Sequence, residues 1–378
     1  MDYAGGTPVS KSVLSEMQKY SKFFANPSGL YEESLLAKEK LIELRTKIAK
    51  ILNIQKNEIV FTSGGTESNN LALFGVFESF KKKGIVPHFV TTTIEHSSIL
   101  EVMDEIKSRG AEVTKVSVSK DGVVNLEELK NSIKENTVLV SIGMANSEIG
   151  TIQPLSEVNK ILNSFRNENK HYPYLHVDAG SSPLYLNIDT NRLGINLLTL
   201  DGSKIYGPKG VGALIVKSYV EISPLIYGGG QERGLRSGTE NISSIAGFAL
   251  ALLEADSNRK QESGRLTEIR DYGIKKILET FALSELNGSH KHRTPNNINI
   301  CFKGLDAEFA TVKLDLLGVS SSYSSSCLTL KDDFSSYVIR ALGKDIDCSK
   351  SSLRFTLGRD SKMSDIDFLV ECLKKVVQ

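Results

Sequence analysis

Between residues 58 and 216 the chain repeats one pattern: a short β-branched, apolar run followed by a longer stretch with helical spacing. The runs are EIVFT (58–62), HFVTT (88–92), VTKVSV (113–118), VLVSIGM (138–144), LHVD (175–178), LLTLD (197–201) and GALIV (212–216). Strands separated by helices are joined by crossovers, which predicts an α/β architecture with a mainly parallel sheet covered on both faces. Ligands of such sheets bind outside the carboxyl ends of the strands. The polar residues just after each run are therefore the first candidates for chemistry.

Ahead of this region, Val13, Leu14, Met17, Tyr20 and Phe24, then Leu41, Leu44, Ile48 and Ile51, fall at helical spacing and predict two amphipathic helices. Behind it, a charged helical stretch begins near Ala249, and NNINICF and SSLRFTLGR read as strands before a final helix. A chain of 378 residues exceeds what one hydrophobic core usually serves. The expectation is a large domain over 13–250 and a small C-terminal α+β domain over 251–378, joined by the N-terminal segment 1–12.

Forty-six basic residues against forty-five acidic ones leave a formal charge of +1, so no global field favours nucleic acid or an anionic membrane. A small-molecule partner is expected. MDYAGGTP has neither a basic nor an apolar leader region, and no later run is apolar enough to span a bilayer, so the expectation is a soluble cytoplasmic protein. The four cysteines, Cys301, Cys327, Cys348 and Cys372, form no CxxC pair and are too sparse for a disulfide framework or a metal cage.

After EIVFT comes SGGTESNN, where Gly64 and Gly65 permit a tight turn and Thr66 and Ser68 can cap a helix. Such a helix start also binds phosphate through its free N–H groups. No Lys-Ser or Lys-Thr follows, which argues against a nucleotide P-loop. The later YGGGQERG lacks the strand, helix and acidic residue of a dinucleotide site. Asp178 ends one run and Lys204 lies just past another, so both can reach one crevice. Singly they read as a turn residue and a solvated lysine. Together they suit pyridoxal phosphate, which needs a lysine for its aldehyde and a carboxylate to keep the pyridine nitrogen protonated.

His96 reads either as a helix-start residue or as a ring that stacks on a planar cofactor. Arg354 reads either as a surface ion pair or as a fork for a substrate carboxylate. Cys327 lies among serines in a polar stretch, whereas Cys301 and Cys372 occupy apolar, structural settings. Cys348, in DIDCSKSS, is its competitor for a reactive role.

MDYAGGTP, FFANPSG, EIVFTSGGTESNNLAL, IEHSSIL, DGVVNLEELK, NSEIGTIQPL, HVDA, SKIYGPKGVGALIV, GGGQERGLRSGTEN, SYVIRALG and SSLRFTLGR together resemble the cysteine desulfurases of the class V aminotransferase family, over nearly the whole chain. The resemblance implies the aspartate-aminotransferase-like fold (type I) and pyridoxal 5'-phosphate as cofactor. It implies conversion of L-cysteine to L-alanine with the sulfur kept as an enzyme persulfide. It further implies Lys204 as the cofactor lysine, Asp178 at the pyridine nitrogen, His96 on the ring and Gly65 and Thr66 at the phosphate. Arg354 would hold the substrate carboxylate and Cys327 would take the sulfur, while Thr239 would reach the phosphate in the other subunit of a homodimer. The branch resembled feeds iron–sulfur scaffolds and tRNA thiolation.

Four positions depart from the family pattern: Ser147 stands for asparagine, Ser181 for glutamine, Asp201 for serine and Ser203 for histidine. The cysteine stretch is also altered, with Tyr323 and extra residues. Ser147 and Ser181 can still bond the cofactor phenolate by shorter reach or through water. A carboxylate about 4 Å from a phosphate costs on the order of 4 kcal/mol per unit-charge pair near a surface. Asp201 therefore turns away, is protonated, or weakens cofactor binding. Two alternatives stay open: a selenocysteine lyase or other β-eliminating relative that does without Cys327, and a degenerate member acting through partner binding.

Overall fold

The computed structural model describes residues 1–167, 170–323 and 335–377. Its larger sheet contains β1 (Ile59–Thr62), β2 (His88–Thr92), β3 (Glu112–Val116), β4 (Thr137–Gly143), β5 (Tyr174–Asp178), β6 (Leu197–Asp201) and β7 (Gly212–Val216), in the order β1-β7-β6-β5-β4-β2-β3. Every run expected from the sequence is a strand of this sheet, its ends displaced by at most two residues. The strands from β3 across to β6 are parallel, and β7 runs antiparallel to both of its neighbours. Buried almost end to end, β1, β2 and β4 to β7 carry the continuous apolar runs that a sheet covered on both faces requires. The edge strand β3 is instead broken by Glu112, Thr114 and Lys115, charges and a hydroxyl that discourage further pairing.

Helices α1 (Lys11–Tyr20), α2 (Glu32–Leu52), α3 (Gly65–Lys81), α4 (Ser97–Ser108), α5 (Leu126–Ser132), α6 (Leu155–Asn163) and α7 (Thr190–Leu193) accompany this sheet. Ser10 starts α1 by accepting from Val13 N–H. Phe24, expected on the buried face of that helix, lies beyond its end and is 81% exposed. The 39-residue α8 (Ile242–Thr280) begins ahead of the expected Ala249 and is about 58 Å long at 1.5 Å per residue. It contacts α1 and α2 near the large sheet and β8 (Ser284–Leu286) and β9 (Asn297–Phe302) at its far end. With β10 (Ser352–Thr356) these form a small antiparallel sheet, ordered β10-β9-β8. It is accompanied by α9 (Ala307–Leu316), α10 (Tyr337–Ala341), α11 (Ile346–Lys350) and α12 (Met363–Val376). Among the described residues no helix is long and apolar enough to cross a membrane.

The first seven residues strap the two sheets together. Thr356 N–H of β10 donates to Met1 O at 2.8 Å, and Thr7 N–H donates to Ser203 O, just past β6, at 3.0 Å. Cysteine usage differs from expectation. Cys348 on α11 is fully buried and joined by a disulfide to Cys301 on β9, with Cα atoms 5.4 Å apart. Packing of α11 over β9 brings together two residues 47 apart in sequence, and it removes Cys348 as an exposed thiol.

Candidate active site

A cavity of about 360 Å³ opens at the carboxyl ends of β4, β5 and β6 and is closed on one side by β10. Gly65, Thr66, His96 and Ser147 line it, as do Asp178, Ser181, Ser203, Lys204 and Arg354. Nine of the expected residues thus share one space. Thr239 does not line the cavity of its own chain; it is exposed on the loop before α8. Cys327 lies outside the described residues.

The start of α3 reaches the cavity through two glycines. Gly64 has φ of 151°, a backbone state that side chains rarely allow, and a Cβ on Gly212 of β7 would meet Gly64 Cα at 2.8 Å. The missing side chains let the loop press on β7, and the Gly65 N–H then points at the end of β6. There Asp201 Oδ2 accepts from Gly65 N–H at 2.9 Å, and Oδ1 accepts from Ser203 N–H at 2.8 Å and Ser203 Oγ at 2.7 Å. In this arrangement Asp201 faces the start of α3 and does not turn away from it.

One strand over, Asp178 Oδ1 accepts from Gly180 N–H at 3.0 Å and Oδ2 from Asn69 Nδ2 at 2.8 Å. Asn69 rides on α3, is buried, and also donates to Ser98 Oγ at 2.8 Å; its Oδ1 has no protein partner. Lys204 Nζ donates to Ala4 O at 3.0 Å and Gly5 O at 2.8 Å, so the N-terminal strap holds the amine over the cavity. His96 is the helix-start residue that one reading expected, and it also faces the cavity. Its Nδ1 accepts from Ser98 N–H at 3.2 Å as the cap of α4, and its ring lines the cavity.

Arg354 is 5% exposed, an ion pair as one reading had it but not a surface one. Nη2 binds Asp2 at 2.9 Å, Nη1 donates to Ser147 O at 3.3 Å, and Nε has no partner among the described residues. Ser322 pairs with Arg354 in a short antiparallel bridge, its N–H donating to Arg354 O at 3.1 Å.

Two buried acids at the cavity were not singled out in the sequence. Glu95 is pushed up to about 7, first by burial and further by the Asp178 charge, although Thr92 Oγ1 at 2.6 Å and Gly143 N–H at 2.7 Å donate to it. Burial likewise raises Glu148, which accepts from Ser336 Oγ while its Oε2 is unpartnered. Each adjoins a residue that was noticed, His96 and Ser147 respectively, and a charge at the mouth of an apolar strand was the available signal. Asn69 and Asp2 were also missed.

A primary amine, a carboxylate fixed by an amide, an imidazole and a guanidinium with a free donor converge here. That set suits a carbonyl joined to a basic heteroaromatic ring, plus the carboxylate of a small amino acid.

Comparison with known proteins agrees with this set. Residues 1–369 match the family described as Aminotransferase class-V. Cysteine desulfurase IscS 1 of Archaeoglobus fulgidus is 39% identical over 378 residues, covering 100% of this chain and 96% of that protein. Among solved structures, a NifS-like protein superposes with a TM-score of 0.91 at 30% identity, covering 99% and 98% of the two chains. SspA in complex with cysteine superposes with a TM-score of 0.80 at 31% identity over 94% and 97%.

Proposed function

The chain belongs to the class-V aminotransferase family, and from that premise we propose that it is a pyridoxal-phosphate-dependent cysteine desulfurase. It takes sulfur from L-cysteine onto Cys327, releases L-alanine, and supplies the sulfur for iron–sulfur cluster assembly or tRNA thiolation. The observation that carries this reading is the convergence of Lys204, Asp178, His96 and Arg354 in one cavity. Class-V aminotransferases use pyridoxal phosphate, and the residues fit it: Lys204 would hold its aldehyde, Asp178 its pyridine nitrogen and His96 the face of its ring. When bound, the cofactor supplies an electron sink that weakens bonds at the substrate's Cα.

The protein's own groups do the rest. Asp178, fixed by Asn69 and Gly180, would hold a proton on the ring nitrogen. The Lys204 amine, held over the cavity by Ala4 O and Gly5 O, would move a proton at the substrate Cα. Arg354 takes the substrate carboxylate on Nε and on the Nη2 that Asp2 gives up. The Cys327 thiolate attacks the substrate sulfur, forming an S–S bond as the Cβ–S bond breaks; that electron pair stays on Cβ, which takes a proton to become the methyl of alanine. Reach supports Cys327: it follows Ser322, anchored on Arg354, by five residues, a span of at most about 17 Å. The exposed Thr239 contributes to the cavity of a second subunit in a homodimer.

The test is a paired one. Purified protein has a visible absorption band that Lys204→Ala abolishes, whereas Cys327→Ala keeps the band and loses both persulfide and alanine. Formation of pyruvate and ammonia in place of alanine, or full turnover by Cys327→Ala, overturns the assignment in favour of a β-eliminating enzyme.

A further inference from the structure

The phosphate end of the cavity differs from the ring end. α3 is a 17-residue helix whose first turn opens on the cavity and whose cap, Gly64, offers no side chain to its N–H groups. Such a terminus carries partial positive charge and attracts an anion. Here an anion is already present. Asp201 Oδ2 accepts from Gly65 N–H at 2.9 Å, while Ser203 N–H and Oγ occupy Oδ1. The partners are two backbone N–H groups and one hydroxyl, none of them a cation, so the negative charge is held in place without being neutralised.

The placement is built into the packing. Asp201 is the last residue of β6 and stands opposite Gly212 in register, and Gly212 is where the Gly64 backbone presses on β7. A Cβ on Gly65 would lie 3.1 Å from Asp201 Oδ2, so the helix start and the carboxylate are in direct contact.

We infer that Asp201 is a resident anion of this cup and a specificity determinant of the cavity: it removes most of the advantage a 5'-phosphate would give, so pyridoxal and pyridoxal phosphate bind with similar strength. This rests on the cofactor reading above. A phosphate ester entering the cup shares Gly65 N–H with a like charge or displaces it, and like charges in one site oppose each other. The hydroxymethyl group of pyridoxal has no charge and donates to the same carboxylate. The ring and aldehyde contacts, from Asp178 and Lys204, are common to both.

The full-length protein, stripped of cofactor, is titrated with each compound and followed by the visible absorption of the Lys204 adduct. In the wild type the two dissociation constants lie within tenfold of each other. In Asp201→Ser and in the isosteric Asp201→Asn the phosphate ester gains at least tenfold over pyridoxal. A wild type that already prefers the phosphate ester a hundredfold, with the ratio unmoved in both variants, overturns the inference. Inorganic phosphate is the second probe, read by calorimetry. It binds saturably to Asp201→Ser and Asp201→Asn but not to wild type, and equal binding to all three again overturns the role of Asp201. Because this arm needs no cofactor, it still decides the matter if neither pyridoxal compound gives a band, a result that would refute the cofactor reading itself.

Discussion

The ends of β5 and β6 are neighbours built alike. Each strand finishes on an aspartate, and each aspartate uses Oδ1 to accept the N–H two residues on, from Gly180 at 3.0 Å and from Ser203 at 2.8 Å. They differ in what the second oxygen meets across the gap to α3. Asp178 Oδ2 faces the side-chain amide of Asn69, one turn into the helix, and Asp201 Oδ2 faces the backbone N–H of Gly65, its first residue. The same local turn thus gives one carboxylate available to a ligand's ring and one committed to the protein's own helix. What separates them is the register of α3 against the sheet, a tertiary property that neither strand contains.

The sharpest way to break the comparison is to neutralise each carboxylate in turn. Asp178→Asn keeps an acceptor for Gly180 N–H but removes the charge proposed to hold the ring-nitrogen proton, so turnover should fall by about 10²-fold or more with the visible band retained. Asp201→Asn, equally conservative, changes kcat by less than about threefold at saturating cofactor, because it faces no reacting atom. Steady-state kinetics on the two variants side by side checks this. Equal losses would mean that both aspartates serve the chemistry and that the contrast drawn from their partners is false.

What the sequence disclosed follows the same division. Asp178 and Lys204 were legible because a strand end is a local feature and its position in an α/β sheet implies the crevice. The direction of Asp201 was not legible, since it depends on glycines at 64 and 212 that allow a close backbone approach. Asn69 was missed because its target lies 109 residues away; segment 1–12 was expected to join the domains, but its hold on Lys204 was not, because Ala4 and Gly5 meet that residue across about 200 residues. The pairing of Cys301 with Cys348 has the same cause. Periodicity places residues on faces of elements, and it carries no record of which elements meet.

A second way to sharpen the comparison uses pH, because the end of β5 has a buried acid beside it. Glu95 holds its proton up to about pH 7 in the folded protein, against 4.5 when unfolded, with burial the main cause and the Asp178 charge a contributor. Between those values the folded state binds a proton that the unfolded state has released. The contribution of Glu95 to stability is therefore greatest at low pH, falls as pH rises from 4.5 through 7, and is level above that, a change of about 3 kcal/mol. Glu95→Gln, neutral throughout, removes that part of the slope. Urea unfolding of wild type and variant at pH 5 and pH 8 measures it, and parallel slopes in the two proteins would show that Glu95 does not hold the proton.

The smallest effect belongs to the third donor that distinguishes the two turns. At β5 the residue two positions on is Gly180, which has only its N–H; at β6 it is Ser203, which adds Oγ to Asp201 Oδ1 at 2.7 Å. Ser203→Ala makes the turns equivalent. A hydrogen bond to a charged acceptor contributes about 1.5–3 kcal/mol when desolvated, and both residues here are half-buried, so the loss should be about 1 kcal/mol in the cofactor-free protein. It appears as a lower urea midpoint with an unchanged m-value. The Asp201 charge remains, so discrimination between pyridoxal and its phosphate ester should not move. A loss above about 3 kcal/mol would mean that Ser203 Oγ holds the turn itself. A shift in the ligand ratio would mean that the hydroxyl, rather than the carboxylate, sets what the cup accepts.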